Sequence, residues 1–116
     1  MCDLYGIPNC DTMKKARNWL DAHGVTYTFH NYKKEGVSVD LLATWADKVD
    51  WQLLLNRRGL TWRKLPDQHK TGIERESALK LMSENPSMIK RPVLVVGESV
   101  AVGFSEVSYS ELFGRA

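Results

Sequence analysis

The chain reads as an α/β protein: a four-stranded mixed sheet in the order β-α-β, inserted helices, β-β-α, flanked by helices. Three observations predict it. The stretch at 2–7 is apolar, stops at Pro8 and passes at once into a helix-period segment. The stretch Val-Thr-Tyr-Thr-Phe-His-Asn-Tyr at 25–32 is β-branched and aromatic, with Val25, Tyr27 and Phe29 alternating as in a strand. Close to the C-terminus, Val93-Leu94-Val95-Val96 and Val100-Ala101-Val102 flank Gly97-Glu98-Ser99, the pattern of a hairpin.

Taken in order, residues 2–7 form a strand that Pro8 ends, because proline cannot donate to a ladder. Asn9 or Cys10 caps the first helix, whose core face holds Met13, Ala16, Leu20 and His23, and Gly24 falls at its C′ position. The 25–32 strand is followed by a polar turn, Lys33 to Gly36. Ser38 caps a helix from Val39 to about Asp47, with Leu41, Leu42 and Trp45 inward. Asp50 caps a shorter one holding Trp51, Leu54 and Leu55. From Asn56 to Gly72 no period is clear, and a loop is expected with at most one helical turn near Trp62–Leu65. Residues 73–85 give a helix with Ile73, Ala78, Leu79, Leu81 and Met82 inward. The hairpin and a short helix, Glu106 to Leu112, complete the chain. The first β-α-β unit is expected to be parallel and right-handed and the hairpin antiparallel, a thioredoxin-like arrangement. No composition shift or linker marks a boundary, so one domain over 1–116 is expected, with a helical insertion at about 38–85.

Composition sets bounds. With 116 residues, 43% hydrophobic and 26% charged, the chain suits a single soluble core. A net charge of +2 argues against nucleic acid. No apolar run approaches the ~20 residues of a membrane span, and no basic-then-apolar leader opens the sequence. Two cysteines without such a leader point to a reducing compartment, hence a cytoplasmic protein with free thiols. Cys2 and Cys10 lie at opposite ends of one strand, roughly 15–20 Å apart at ~3.3 Å per residue, too far for a disulfide. No His/Cys spacing resembles a metal site, and none of the three histidines falls beside Cys10. A monomer is expected.

Cys10 stands out. It follows a strand and begins a helix, where backbone N–H groups lack intrahelical partners and the helix dipole is positive. Such a corner stabilises a thiolate or binds an anion.

The chain resembles the arsenate reductase (ArsC)/Spx family, and within it the small YffB-type proteins. The resemblance rests on Tyr5-Gly6-Ile7-Pro8-Asn9-Cys10-Asp11-Thr12; on Leu53 to Gly59 with Thr61-Trp62-Arg63; on Asn85-Pro86 with Ile89-Lys90-Arg91-Pro92-Val93; and on Gly103-Phe104-Ser105-Glu106. It implies a thioredoxin-like fold with extra helices between the second and third strands. It implies a nucleophilic cysteine at Cys10 and an arginine before a cis-proline at Arg91-Pro92. It also implies three arginines around an oxyanion, but Gly103 stands at the last of these positions and Asn56 at the middle one, with Arg57 and Arg58 just after it. Lys14 matches a basic family residue. The Cys-x-x-Cys switch of Spx regulators is missing its second thiol, replaced by Met13.

From these residues the catalytic pair is expected to be Cys10 and Arg91, with Asn9, Lys14, Arg57 and Pro92 contacting substrate and no metal. Lys14 lies one helical turn from Cys10. The Arg91 guanidinium can hold a thiolate, an oxyanion or a carboxylate. The expected activity is that of an arsenate-reductase-like thiol oxidoreductase. Cys10 forms a mixed disulfide with an external thiol, glutathione, used as co-substrate rather than bound cofactor; a protein thiol or glutaredoxin is the other kind of partner. The alternatives are glutathione-dependent arsenate reduction itself and a non-enzymatic, Spx-like regulator that binds a protein such as RNA polymerase.

Overall fold

The computed structural model describes residues 2–8 and 10–114. Contacts divide the chain into two compact units, Met1–Glu35 with Arg91–Ala116, and Gly36–Lys90.

The first unit holds the sheet. Its elements are β1 (Cys2–Gly6), α1 (Asp11–Ala22), β2 (Thr28–Asn31), α2 (Tyr32–Glu35), then β3 (Val93–Val96), β4 (Ser99–Val102) and a C-terminal helix, Glu106–Leu112. The strand order is β2-β1-β3-β4. β1 runs parallel to β2, with Leu4 opposite Phe29, and antiparallel to β3, with Leu4 opposite Leu94. β3 and β4 form the antiparallel hairpin, and Gly97 at its tip takes φ +58°, which a glycine adopts without strain. The result is a mixed four-stranded sheet of thioredoxin-like topology.

The core of this unit is Leu4, Met13, Ala16, Trp19, Leu20, Leu94 and Tyr109. Helical periodicity accounts for the α1 members. Trp19 belongs to that face and was missing from the predicted set. His23 is only half-buried and covers Trp19 from the helix end, ring centroids 3.8 Å apart. The second strand is shorter than 25–32. It begins at Thr28, and Tyr32 already opens α2, where a plain turn was expected. Asn31 explains the early stop. Its side chain accepts hydrogen bonds from the backbone N–H groups of Lys33 (3.0 Å) and Lys34 (3.4 Å), which starts a helical turn.

The second unit is helical: α3 (Val39–Ala46), α4 (Trp51–Leu54), α5 (Leu60–Lys64), α6 (Asp67–Lys70), α7 (Arg75–Glu84) and a 3₁₀ turn at Pro86–Met88. Ser38 and Asp50 cap α3 and α4 through their side chains, as predicted. α7 starts two residues later than expected, behind a reciprocal cap between Glu74 and Ser77, which leaves Ile73 outside it. The stretch from Asn56 to Gly72 is not a loop with one turn but carries the two short helices α5 and α6. Their apolar residues are too few to show a period, and the 3.1 Å bond from Leu65 N–H to the Trp62 carbonyl closes the first of them locally. Arg75 ties α7 to the end of α3, donating to the Asp47 carboxylate at 2.8 Å. Among the described residues, no helix is long and apolar enough to cross a membrane.

One contact joins sheet packing to the thiol corner. A Cβ built on Gly6 would lie 2.3 Å from Met13 Sδ and 2.7 Å from its Cε. Met13 is 1% exposed, so its thioether has little room to retreat. Gly6→Ala is therefore expected to lower stability by about 1–3 kcal/mol. In denaturant unfolding the double variant Gly6→Ala/Met13→Ala is expected to lose less than the sum of the two singles.

Candidate active site

The site is built from the two ends of unlike strands. β1 ends at Gly6, Pro8 sits in a turn, and Cys10 is the N-cap of α1 with extended backbone angles, φ −101° and ψ 134°. Its carbonyl accepts the first helical bond, from Lys14 N–H at 2.9 Å. Arg91 and Pro92 lead into β3 from the opposite direction, and the peptide bond between them is cis. Tyr5 pairs with Val93 in the ladder, so Arg91 arrives where the chain leaves β1 for α1. Pro92 is buried and Arg91 half-buried. The Pro92 carbonyl accepts a 2.8 Å bond from Gly103 N–H, which ties this end of β3 to the turn after β4.

The sulfur of Cys10 makes no conventional capping bond. Partial burial acts to raise its pKa. Against this, the backbone N–H groups of Met13 and Thr12 favour the thiolate, and the Arg91 guanidinium both donates a hydrogen bond to the sulfur and adds its positive charge. These outweigh burial, and the pKa falls below the ordinary thiol value. Cys2 behaves oppositely: burial, then the charge of Asp3, pushes its pKa up. Both cysteines are free thiols. Cys10 alone combines partial exposure with a stabilised thiolate, the condition for a nucleophile.

The other predicted residues fall as follows. Lys14 is exposed on the first turn of α1. Asn9 lies outside the described residues. Arg57 belongs to the second unit, where its guanidinium sits 5.8 Å from the centre of the Trp62 ring. There Leu55, Asn56, Arg57, Arg58 and Lys90 line a groove of about 290 Å³. Asn56, at the position of a family arginine, accepts the Arg58 N–H at 3.2 Å and so shapes the local turn. Sequence reading gave no role to Tyr32. It is only 1% exposed, and burial drives its phenol pKa well above the ordinary value while the Arg91 charge acts against that rise. Its signal was an aromatic ring standing alone among Asn31, Lys33 and Lys34.

The mixed four-stranded sheet, with a cysteine opening the first helix and an arginine–proline pair leading into the third strand, defines a protein of the thioredoxin-like class. The ArsC family profile matches residues 5–112. The chain belongs to the ArsC family. Among solved structures, it is similar to a YFFB protein, at 48% identity and TM-score 0.92, covering 96% of this chain and 97% of that one. It is also similar to an arsenate reductase (ArsC) related protein from Brucella melitensis, at 49% identity and TM-score 0.74, covering 97% and 93%. An uncharacterized protein of Haemophilus influenzae is 37% identical over 113 residues, 97% of this chain and 99% of that protein. The global transcriptional regulator Spx of Listeria innocua is 28% identical over 110 residues, 91% and 82%.

If Arg91 holds the Cys10 thiolate, Arg91→Ala should return the Cys10 pKa toward or above about 8.5. Thiolate absorbance followed against pH measures this, and Arg91→Lys should recover part of the depression through charge alone.

Proposed function

We propose that this chain is an arsenate-reductase-like thiol oxidoreductase in which Cys10 is the nucleophile and Arg91 stabilises its thiolate. The observation that carries the reading is the arrival of Arg91, at the start of β3, where Cys10 opens α1, with the Cys10 pKa lowered by Arg91 and by the first turn of α1. The Cys10 thiolate attacks the glutathione sulfur of a glutathionylated substrate. The Cys10–glutathione disulfide forms as the old S–S bond breaks, and the other sulfur leaves as a thiolate. A second glutathione thiolate then attacks the glutathione sulfur of that adduct. It releases Cys10 and yields glutathione disulfide, so one external glutathione is consumed for each glutathionylated substrate reduced. Met13 stands where an internal resolving thiol would be, so the second thiol comes from outside. Lys14 offers an exposed cation to a glutathione carboxylate, and Arg57 and Asn9 are candidate ligands from the family resemblance. Pro92, beside Arg91 and buried, offers the backbone edge against which a bound peptide-like thiol can lie.

Exposure to glutathione disulfide is expected to add one glutathione to Cys10 and none to Cys2, read by peptide mass spectrometry. Modification of Cys2 alone would refute the assignment. Arsenate is the narrower substrate; turnover in a coupled glutathione assay no higher than that of Cys10→Ser would exclude it. The likeness to the Listeria innocua Spx regulator favours one second reading, a module that docks on a protein partner. That reading requires a complex recovered in a pull-down that survives Cys10→Ala.

A further inference from the structure

Three ionisable side chains that the proposed thiol chemistry does not use meet where β2 passes into α2. His30 of β2 lies opposite Tyr5 of β1 in the ladder. Its Nε2 is 2.8 Å from Asp3 Oδ1 and its Nδ1 is 2.9 Å from Glu35 Oε1. The Tyr5 ring stacks on the imidazole, with centroids 4.4 Å apart and planes 14° from parallel. The groups facing His30 are thus Asp3 and Tyr5 from β1 and Glu35 from α2.

An ionised carboxylate only accepts hydrogen bonds. Neutral imidazole has one N–H, so it would turn a lone pair toward one of the two acids. Only the imidazolium donates to both. Glu35 also accepts from the backbone N–H of Asn31, at 3.3 Å, so the carboxylate that grips His30 also closes the α2 turn. Tyr32, buried and within reach of the Arg91 charge, lies on that same turn.

We propose that Asp3, His30 and Glu35 form a pH-responsive clamp that fastens α2 to β1 and makes His30 a positioning residue for Tyr32 and Arg91, and through them for Cys10. The clamp itself is independent of the redox reading; only its consequence for Cys10 rests on that reading. Burial would lower the His30 pKa, but the hydrogen bonds and charges of Asp3 and Glu35 carry it above the ordinary value. The Glu35 pKa is pulled below its own ordinary value, first by the hydrogen bond from His30. A raised histidine stabilises the fold fully below its unfolded pKa and loses that effect as pH rises through the folded pKa. A lowered glutamate loses its effect as pH falls through its folded pKa. The clamp is therefore closed between the lowered Glu35 pKa and the raised His30 pKa and opens on either side.

The experiment follows the His30 ring resonances of the full chain by NMR against pH, in the wild type and in Glu35→Gln. Iodoacetamide alkylation of Cys10 is measured over the same range, with His30→Gln added. The wild-type His30 midpoint is expected above about 6.5 and lower in Glu35→Gln. His30→Gln is expected to raise the Cys10 midpoint and slow alkylation at neutral pH about threefold, the equivalent of half a pH unit. A His30 midpoint at or below the ordinary value overturns the clamp. An unchanged Cys10 midpoint in both variants overturns its positioning role. If Cys10 fails to accept glutathione, the redox reading falls while the His30 titration still decides the clamp.

Discussion

The candidate site depends on the opposite directions of β1 and β3. Antiparallel pairing puts the beginning of β3 beside the end of β1, with Val93 opposite Tyr5. The cysteine that follows β1 and the arginine that precedes β3 therefore meet, although 80 residues lie between them in sequence (91 minus 11). Had β3 run parallel, Arg91 would sit at the far end of β1, roughly 15 Å away at ~3.3 Å per residue. Strand direction does what no local motif could do.

At the corner itself, the sulfur is subject to opposing influences. Burial is the largest single influence on Cys10 and disfavours charge; the net depression arises because Met13, Thr12 and Arg91 act together against it. Two of these donors come from the backbone and follow from helix geometry alone. The third depends on the sheet. The same logic explains why Cys2, on a strand and beside Asp3, is driven the other way.

The caps at Ser38 and Asp50 and the C′ glycine were legible because each follows from short-range chemistry; the mixed sheet was legible from its strand patterns, whereas the pairing of Cys10 with Arg91-Pro92 was legible only through the family resemblance, since no local pattern joins the two. The short helices α5 and α6 were not legible, because four or five residues cannot display a helical period. The early end of β2 was hidden in Asn31, whose side chain recruits the next two backbone donors; β-propensity alone favours continuing through Tyr32. Tyr32 and His30 went unread for a different reason. Their importance lies in partners contributed by other elements, Arg91 for one and Asp3 for the other, which no local pattern in the sequence connects.

Met13 has a wider meaning than the filling of a hole. Its thioether occupies the space that a side chain at Gly6 would need, so a larger residue at position 6 displaces it. A cysteine at position 13 would restore a two-thiol motif but give up the Met13 Sδ and Cε atoms that fill the space beside Gly6. Packing and an internal disulfide thus compete for a single position on this helix. Because packing occupies it, the proposed chemistry at Cys10 has to draw its second thiol from solution, and a chain working in that way would report on its surroundings without keeping a record of them.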